Sequence, residues 1–297
     1  MATPAESLAR QYGLVQPQRI TEGITHRQLA MVLKDAAAEA SAMIEFNVTK
    51  LGSIGGKVTT AQLQQAVAGL GSVSTELWTG VGKITRAGMY ESAALAADQA
   101  LDLVLFLGMP PNGVIQYAQL THFEAAQSVE DIISRRTHGY TLSERIYANG
   151  RLSVKNAGRI VERGLVLQRS AREIAFGVRA HFSPAVPGGA SYAAMRLART
   201  EINNAHHHTT LRLSKDKPWV SGWKWNLSSS HPRPDECNDL AAQLHTKDNP
   251  PDKPHPMCLC YVTHLQEDPE AFMNKLVDGD YDDYLQGKGV TCGGGLG

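Results

Sequence analysis

The hydrophobic positions of this chain keep a helical period for two-thirds of its length and then change to the period of a strand. From Thr25, the residues Leu29, Val32, Leu33, Ala36, Ala40, Met43 and Ile44 recur at three- and four-residue steps, which predicts an amphipathic helix over residues 25–46. Gly52, Gly55 and Gly56 break the pattern. Thr59 or Thr60 can then cap a short helix through Leu63, Val67 and Leu70. A third helix is expected at about residues 84–107, ending at the turn signal Gly108-Met-Pro-Pro-Asn-Gly113. Residues 1–112 therefore read as helices, either of a packed bundle or of an interaction arm whose apolar face needs a partner.

Residues 114–182 continue helical. Leu120, Phe123, Val129, Ile132 and Ile133 make one apolar face. Thr141-Leu-Ser-Glu144 and Ser170-Ala-Arg-Glu173 match the capping box, in which a hydroxyl and a carboxylate satisfy each other's orphan amides. Between them Arg151, Lys155, Arg159 and Arg163 fall at four-residue spacing, one stripe on a helix, opposite Val154, Ala157, Ile160 and Val161. Phe182-Ser-Pro-Ala-Val-Pro-Gly-Gly-Ala190 reads as a linker. A helix over 191–212 follows, with Tyr192, Met195, Leu197, Ile202 and Ala205 as its packed side.

The period then drops to two, predicting strands at 219–227 and 258–264, with Trp219, Trp223 and Trp225 on one face. Residues 228–257, with six prolines, must be a structured loop. The end of the chain, Asp278-Gly-Asp-Tyr-Asp-Asp-Tyr284 and then Gly293-Gly-Gly-Leu-Gly297, is acidic and then glycine-rich, and reads as frayed or partner-dependent. The fold class expected is mainly α, with a small α+β C-terminal module. Its organisation is a helical docking region over 1–112, a basic helical region over 113–188, and the module with its tail over 189–297.

Composition, 42% hydrophobic and 20% charged, is that of a globular chain able to bury a core. The least polar stretch, Ala100-Leu-Asp-Leu-Val-Leu-Phe-Leu-Gly-Met109, is too short to span a bilayer and contains Asp102, so no membrane partner is expected. The first residues lack the basic-then-apolar build of a signal peptide, which places synthesis in a reducing cytoplasm. The net charge of zero conceals a band: Lys and Arg outnumber Asp and Glu by 13 to 4 over residues 135–213. Residues 1–134 run 8 to 12 the other way, and residues 214–297 run 8 to 13. A band of this kind, with its stripe, can follow a phosphate backbone, dock on an acidic protein surface, or simply face solvent.

The candidate chemistry is concentrated late in the chain. Cys258 and Cys260, with His255 three residues before and Cys237 across the proline loop, supply a Cys3His set suited to a tetrahedral structural zinc ion; His231 can replace His255. The Cys-x-Cys spacing departs from the usual two to four intervening residues, and the other reading is a set of free or disulfide-capable thiols holding a loop by packing. His122-Phe-Glu124 lacks the thiol half of a deaminase motif. His206-His-His208 cannot chelate together on a helix and reads as its exposed polar end. No catalytic residue is assigned: there is no nucleophile elbow, phosphate loop or dinucleotide fingerprint.

Four segments in order carry a resemblance. They are Leu197-Ala-Arg-Thr-Glu-Ile202, Trp219-Val-Ser-Gly-Trp-Lys-Trp225, Ser229-Ser-His-Pro-Arg-Pro-Asp-Glu-Cys-Asn-Asp239 and Lys253-Pro-His-Pro-Met-Cys-Leu-Cys-Tyr261. Together they resemble the Mu F-like minor head proteins of tailed bacteriophages, over roughly residues 140–265. The resemblance marks Arg199, Thr200 and Glu201 as a signature of the fold, with Trp223 and Asp235 in the matching segments. Asp235 and Asp239 are the acids expected to accept from Arg199. It implies a minor capsid protein without enzymatic activity, present in few copies, assembled in the host cytoplasm and kept in the capsid interior at the portal vertex. Its implied partners are the portal protein, the major capsid or scaffold protein, and double-stranded DNA. Two other classes are an enzyme or effector carried in the virion, against which the short remainder after Cys260 argues, and a general DNA-binding protein using the basic stripe.

Overall fold

The computed structural model describes residues 27–47, 49, 60–106, 111–183, 188–229, 231 and 233–288. Among them are nine helices: α1 (27–47), α2 (Thr60–Phe106), α3 (Pro111–Ser134), α4 (Leu142–Val166), α5 (Ala171–Phe182), α6 (Ala190–Lys215), α7 (Glu236–Ala241), α8 (Pro269–Asp278) and α9 (Asp282–Gly287). Strands β1 (Val220–Asn226), β2 (Leu244–Thr246) and β3 (Tyr261–Gln266) form one antiparallel sheet in the order β2-β1-β3. The protein is thus mainly helical, with a small α+β module near its C-terminus, as the periodicity predicts. No helix among the described residues is long and apolar enough to cross a membrane. The chain forms two compact units whose segments interleave: described residues of 23–87 and 133–199 make one, and those of 88–132 and 200–288 the other.

The first unit is helical. α1 buries Leu29, Leu33, Ala36, Ala40 and Ile44, the face its spacing predicts. The two helices expected between residues 59 and 107 are one, α2, of 47 residues. Two of the glycines between them are packing positions: a Cβ on Gly80 would lie 3.3 Å from Val32, and one on Gly82 3.1 Å from Ile146. Both expected capping boxes form. Thr141 and Glu144 close the start of α4, Ser170 and Glu173 that of α5, and each carboxylate is held below its ordinary range by these hydrogen bonds. Residues 184–187 of the linker lie outside the described residues, as do Gly52, Gly55 and Gly56 and residues 108–110 of the expected turn. α6 begins after it, with the Ser191 hydroxyl on the Phe182 carbonyl; Tyr192, expected on the packed side, is exposed.

The second unit is built around the later part of α6, which is buried on nearly every side from Glu201 to Ser214. His206 and His207 lie in this interior, which corrects the expectation of an exposed helix end: α6 runs on to Lys215, so the triplet is in mid-helix. His207 donates to the Pro251 carbonyl at 2.8 Å and meets the Trp225 ring edge-on. Burial pushes the pKa of His206 down to about 3 and that of His207 well below its ordinary value, so both imidazoles are neutral. On α3 the packed face is Tyr117, Thr121, Ala125, Ser128, Val129 and Ile132, whereas Phe123 is exposed. The hydroxyl of Thr121 satisfies itself on the Tyr117 carbonyl, so a polar residue takes the inward position that hydrophobicity alone assigns elsewhere.

The three tryptophans do not share a face. Val220 pairs with Gln266 and Gly222 with Leu265, so β1 spends one residue more than β3 at Ser221. This bulge shifts the alternation by one position. Trp219 and Val220 pack with Tyr117, Phe272, Tyr281 and Leu285, while Trp223 and Trp225 pack with Leu211, Val262 and the three described cysteines. The acidic stretch from Asp278 to Tyr284, expected to be frayed, is folded: Tyr281 and Leu285 are buried, and Tyr281 and Lys275 both donate to Glu267 at 2.7 Å. The glycine-rich end, Cys292 included, lies outside the described residues.

Lys217 is the discordant member of this interior. It is buried, its Nζ makes no hydrogen bond, and its main polar contact is the Tyr117 ring, 5.5 Å to the centroid. Burial, with Lys288 nearby, brings its pKa down to about 7, below the ordinary value near 10.5. The unfolded chain therefore binds the proton more tightly than the folded one; the cost is full below pH 7, fades as pH rises, and is gone above about 10.5. Lys217→Met is expected to raise the thermal midpoint at pH 6.5 by roughly 5 °C and to leave it unchanged near pH 10.5, as read by circular dichroism melts at the two pH values.

Candidate metal centre

The cluster is assembled by three local devices. Asp235 caps α7, accepting from the Cys237 amide at 2.8 Å, while Asn238 accepts from the Asp235 amide at 3.0 Å. This reciprocal cap fixes Cys237 in the first helical turn. The Pro-His-Pro-Met-Cys turn is held from α6: Met257, with a positive φ of 61°, donates its amide to Thr200 Oγ1 at 3.0 Å. Lys253 donates to the carbonyls of Cys258 and Cys260 and so pins the backbone between them. Both cysteines precede β3, which begins at Tyr261; the strand expected from 258 starts three residues later because these carbonyls are engaged by a lysine instead of a ladder.

The three sulfurs are buried, and each imidazole approaches a different one. Cys237 Sγ lies 3.5 Å from Cys258 Sγ and 3.4 Å from His255 Nε2, and Cys260 Sγ lies 3.8 Å from His231 Nδ1. A tetrahedral thiolate–imidazole site has sulfur–sulfur edges of about 3.8 Å and sulfur–nitrogen edges of about 3.6 Å, from its bond lengths. The observed spacings fall within a few tenths of an ångström of those edges. The donors form two sets that share Cys237, one with His231 and Cys260 and one with His255 and Cys258, and in each all donor atoms lie within 4.8 Å. Cys237, Cys258, Cys260 and either His231 or His255 are therefore close enough to hold a metal ion.

The second nitrogen of each ring is already used. His231 donates from Nε2 to Asn238 Oδ1 at 3.0 Å, and His255 donates from Nδ1 to the Pro256 carbonyl at 3.1 Å. The nitrogen left with a lone pair on each ring is the one facing sulfur, the orientation a ligating histidine requires. Asp235 stands between the rings, 3.3 Å from His255 and 3.7 Å from His231. Its Oδ1 accepts from the Cys237 amide. The amide bond is also the main reason its carboxyl sits below the ordinary range.

The thiols are electrostatically unequal. Cys260 is drawn down to about 5, first by the proton-donating Cys258 thiol and then by the Ser228 amide, which donates to it at 3.4 Å. Cys258 is pushed up by the same contact, and burial raises Cys237 to about 12. The thiol drawn down, Cys260, stands beside His231, whose pKa is raised chiefly by Asn238 and also by Asp235 and Cys260. A bound divalent ion would supply the charge that lets the other thiols ionise.

The remaining candidates are placed as follows. Trp223 is fully buried and donates to Ser214 Oγ at 2.9 Å; Glu201 is buried on α6. Arg151, Lys155, Arg159 and Arg163 are all exposed on α4, whose buried side is Ser153, Ala157, Val161 and Gly164. His122 lies 3.0 Å from Asp98 and Glu124 pairs with Lys288 at 2.7 Å, so the two members of the His-x-Glu pair have separate partners. Sequence reasoning missed three supporting residues: Asp235 as cap, Lys253 as backbone clamp and Thr200 as anchor. Asp two positions before Cys237, followed by Asn238, is a legible capping signature; nothing local signals the other two. No family model matches the chain, and no match is found among curated proteins or solved structures.

Three sulfurs and one imidazole fill the four positions of a single tetrahedral ion, so one ion per chain is the expected stoichiometry. Elemental analysis of protein purified without chelator should find about one transition-metal ion per chain. Cys258→Ser should remove it and lower the thermal midpoint, while Cys258→Ser adds nothing to the effect of chelator on the parent protein. Metal-free protein that melts at the same temperature with and without added ion would refute the site.

Proposed function

We propose that this protein is a structural, non-enzymatic component of a tailed-phage head, a minor capsid protein of the Mu F-like kind held in the capsid interior at the portal vertex. The observation that carries the reading is the convergence of the four motif segments. Thr200 of the Arg-Thr-Glu segment accepts from Met257 of the His-Pro-Met-Cys turn. Trp223 and Trp225 pack in the same core as Cys237, Cys258 and Cys260. Segments spread over sixty residues thus meet at one place, which supports treating them as a single module instead of chance matches. Zinc is the ion this donor set suits, three sulfurs and one imidazole with every position filled by protein, and in that role it stabilises the fold. The portal protein is the main partner in this reading, with major capsid or scaffold protein as neighbours.

Co-expression with an affinity-tagged portal protein is the direct test. The expected result is co-purification of this chain at a fixed ratio, retained after nuclease treatment. A folded, zinc-loaded chain that never co-purifies would remove the portal reading.

A second reading, double-stranded DNA as partner, is favoured by the exposure of Arg151, Lys155, Arg159 and Arg163 in one row. If all four meet phosphates, the logarithm of affinity should fall against the logarithm of salt with a slope of about −3 to −4. Replacing two of them with Gln should lower that slope by about 2 in a gel-shift titration.

A further inference from the structure

In the first unit, α2 and α4 run antiparallel and are tied at three points: Ser74 donates to the Gly150 carbonyl, Trp78 to Ser153 and Arg86 to Ser143. Along this seam lies an open groove of about 540 Å³ whose lining runs from Gly71 to Arg86 on α2 and from Ser143 to Val154 on α4. Those spans correspond to about 22 Å and about 16 Å of helix. The shape is therefore a trough, longer than a compact small molecule needs.

Two features describe its occupant. The first is Gly71. Elsewhere in these helices glycine is explained by the chain's own packing: a Cβ on Gly80, Gly82, Gly158, Gly164 or Gly177 would come within 3.4 Å of a neighbouring side chain. At Gly71, half-buried on the groove wall, an added Cβ would meet nothing within 4 Å. Glycine weakens a helix interior, and here no neighbour among the described residues requires it. A backbone approaching from outside would. The second feature is charge. Lys83, Arg86 and Arg151 stand exposed among the lining residues, no carboxylate among the described residues lines the groove, and its apolar surface is the exposed Tyr147 ring beside the buried Trp78 and Ile146.

We propose that this groove is a docking site for an acidic amphipathic α-helix of a partner protein, laid along the seam with its apolar face on Tyr147 and its carboxylates on Lys83, Arg86 and Arg151. A helix matches a trough of this length, and close approach at Gly71 matches the short interaxial distance that small residues permit. The arrangement does not rest on the head-assembly reading, because none of the motif residues lines the groove.

The test uses the full chain and labelled synthetic peptides of about 16 residues, the length that spans the seam. One is a Leu/Glu amphipathic helix, the other its Leu/Lys counterpart, and a short DNA duplex serves as competitor. Fluorescence anisotropy is expected to show saturable binding of the Glu peptide and not of the Lys peptide. Gly71→Leu should weaken that binding at least tenfold while leaving the circular dichroism melt unchanged or raised, since its side chain enters open space. Lys83→Gln with Arg86→Gln should weaken it and reduce its salt dependence without changing the melt. Absence of Glu-peptide binding to the parent chain overturns the proposal, as does equal binding of both peptides. It is also overturned if Gly71→Leu binds like the parent, or if duplex DNA displaces the Glu peptide from the same groove.

Discussion

The burial of a polar helix is the constraint on which the C-terminal half depends. α6 carries Glu201, Asn203, His206, His207, Thr209, Thr210 and Ser214 at positions closed to water. A polar group taken from water must be paired, or it costs free energy comparable to a lost hydrogen bond. Part of the pairing is made within the helix and part by elements around it, while His206 Nε2, His207 Nδ1 and Thr209 Oγ1 make no hydrogen bond. Thr210 and Ser214 turn their hydroxyls back onto α6 carbonyls, and Ser214 also accepts from Trp223 of β1. His207 reaches the proline loop at Pro251, and Thr200 receives the amide of Met257. A leucine-rich helix would hold these neighbours by contact area alone; this one holds them by directional bonds, so strand, loop and turn each have one place to be.

The thiol cluster inherits its geometry from that arrangement. Cys237 is oriented by a helix cap, Cys258 and Cys260 by a lysine on their carbonyls, and the turn between His255 and Cys258 by a hydroxyl of α6. Lys253 and Thr200 act on the backbone alone, yet each helps decide where a sulfur or nitrogen lies. The imidazoles are oriented in the same indirect way, each by a hydrogen bond on the ring nitrogen that faces away from sulfur. Such outer contacts commonly govern metal affinity as strongly as the ligands do.

Much of this was legible in the sequence. Helical periodicity located α1, α4 and α5, two capping boxes marked their starts, and the Cys/His spacing named the residues that cluster. What was not legible depended on partners distant in sequence. Gly80 and Gly82 look like interruptions until Val32 and Ile146 are seen beside them. The His206-His207 pair looks solvent-exposed until Trp225 and Pro251 cover it. Phe123, expected inside, is exposed while Thr121 is buried, because a hydroxyl can satisfy itself within the helix. In each case a local rule was overridden by a tertiary neighbour that no window of sequence contains.

The extra residue at Ser221 has a consequence for fidelity of folding. Because it reverses the facing of side chains midway along β1, the strand feeds one set of aromatic rings to the helices α8 and α9 and another to the sulfur-bearing loop. Sliding the strand by a single position would withdraw both sets at once, emptying two interiors instead of one. Mispairing is therefore penalised twice, and the sheet, though only three strands wide, acts as its own proofreader.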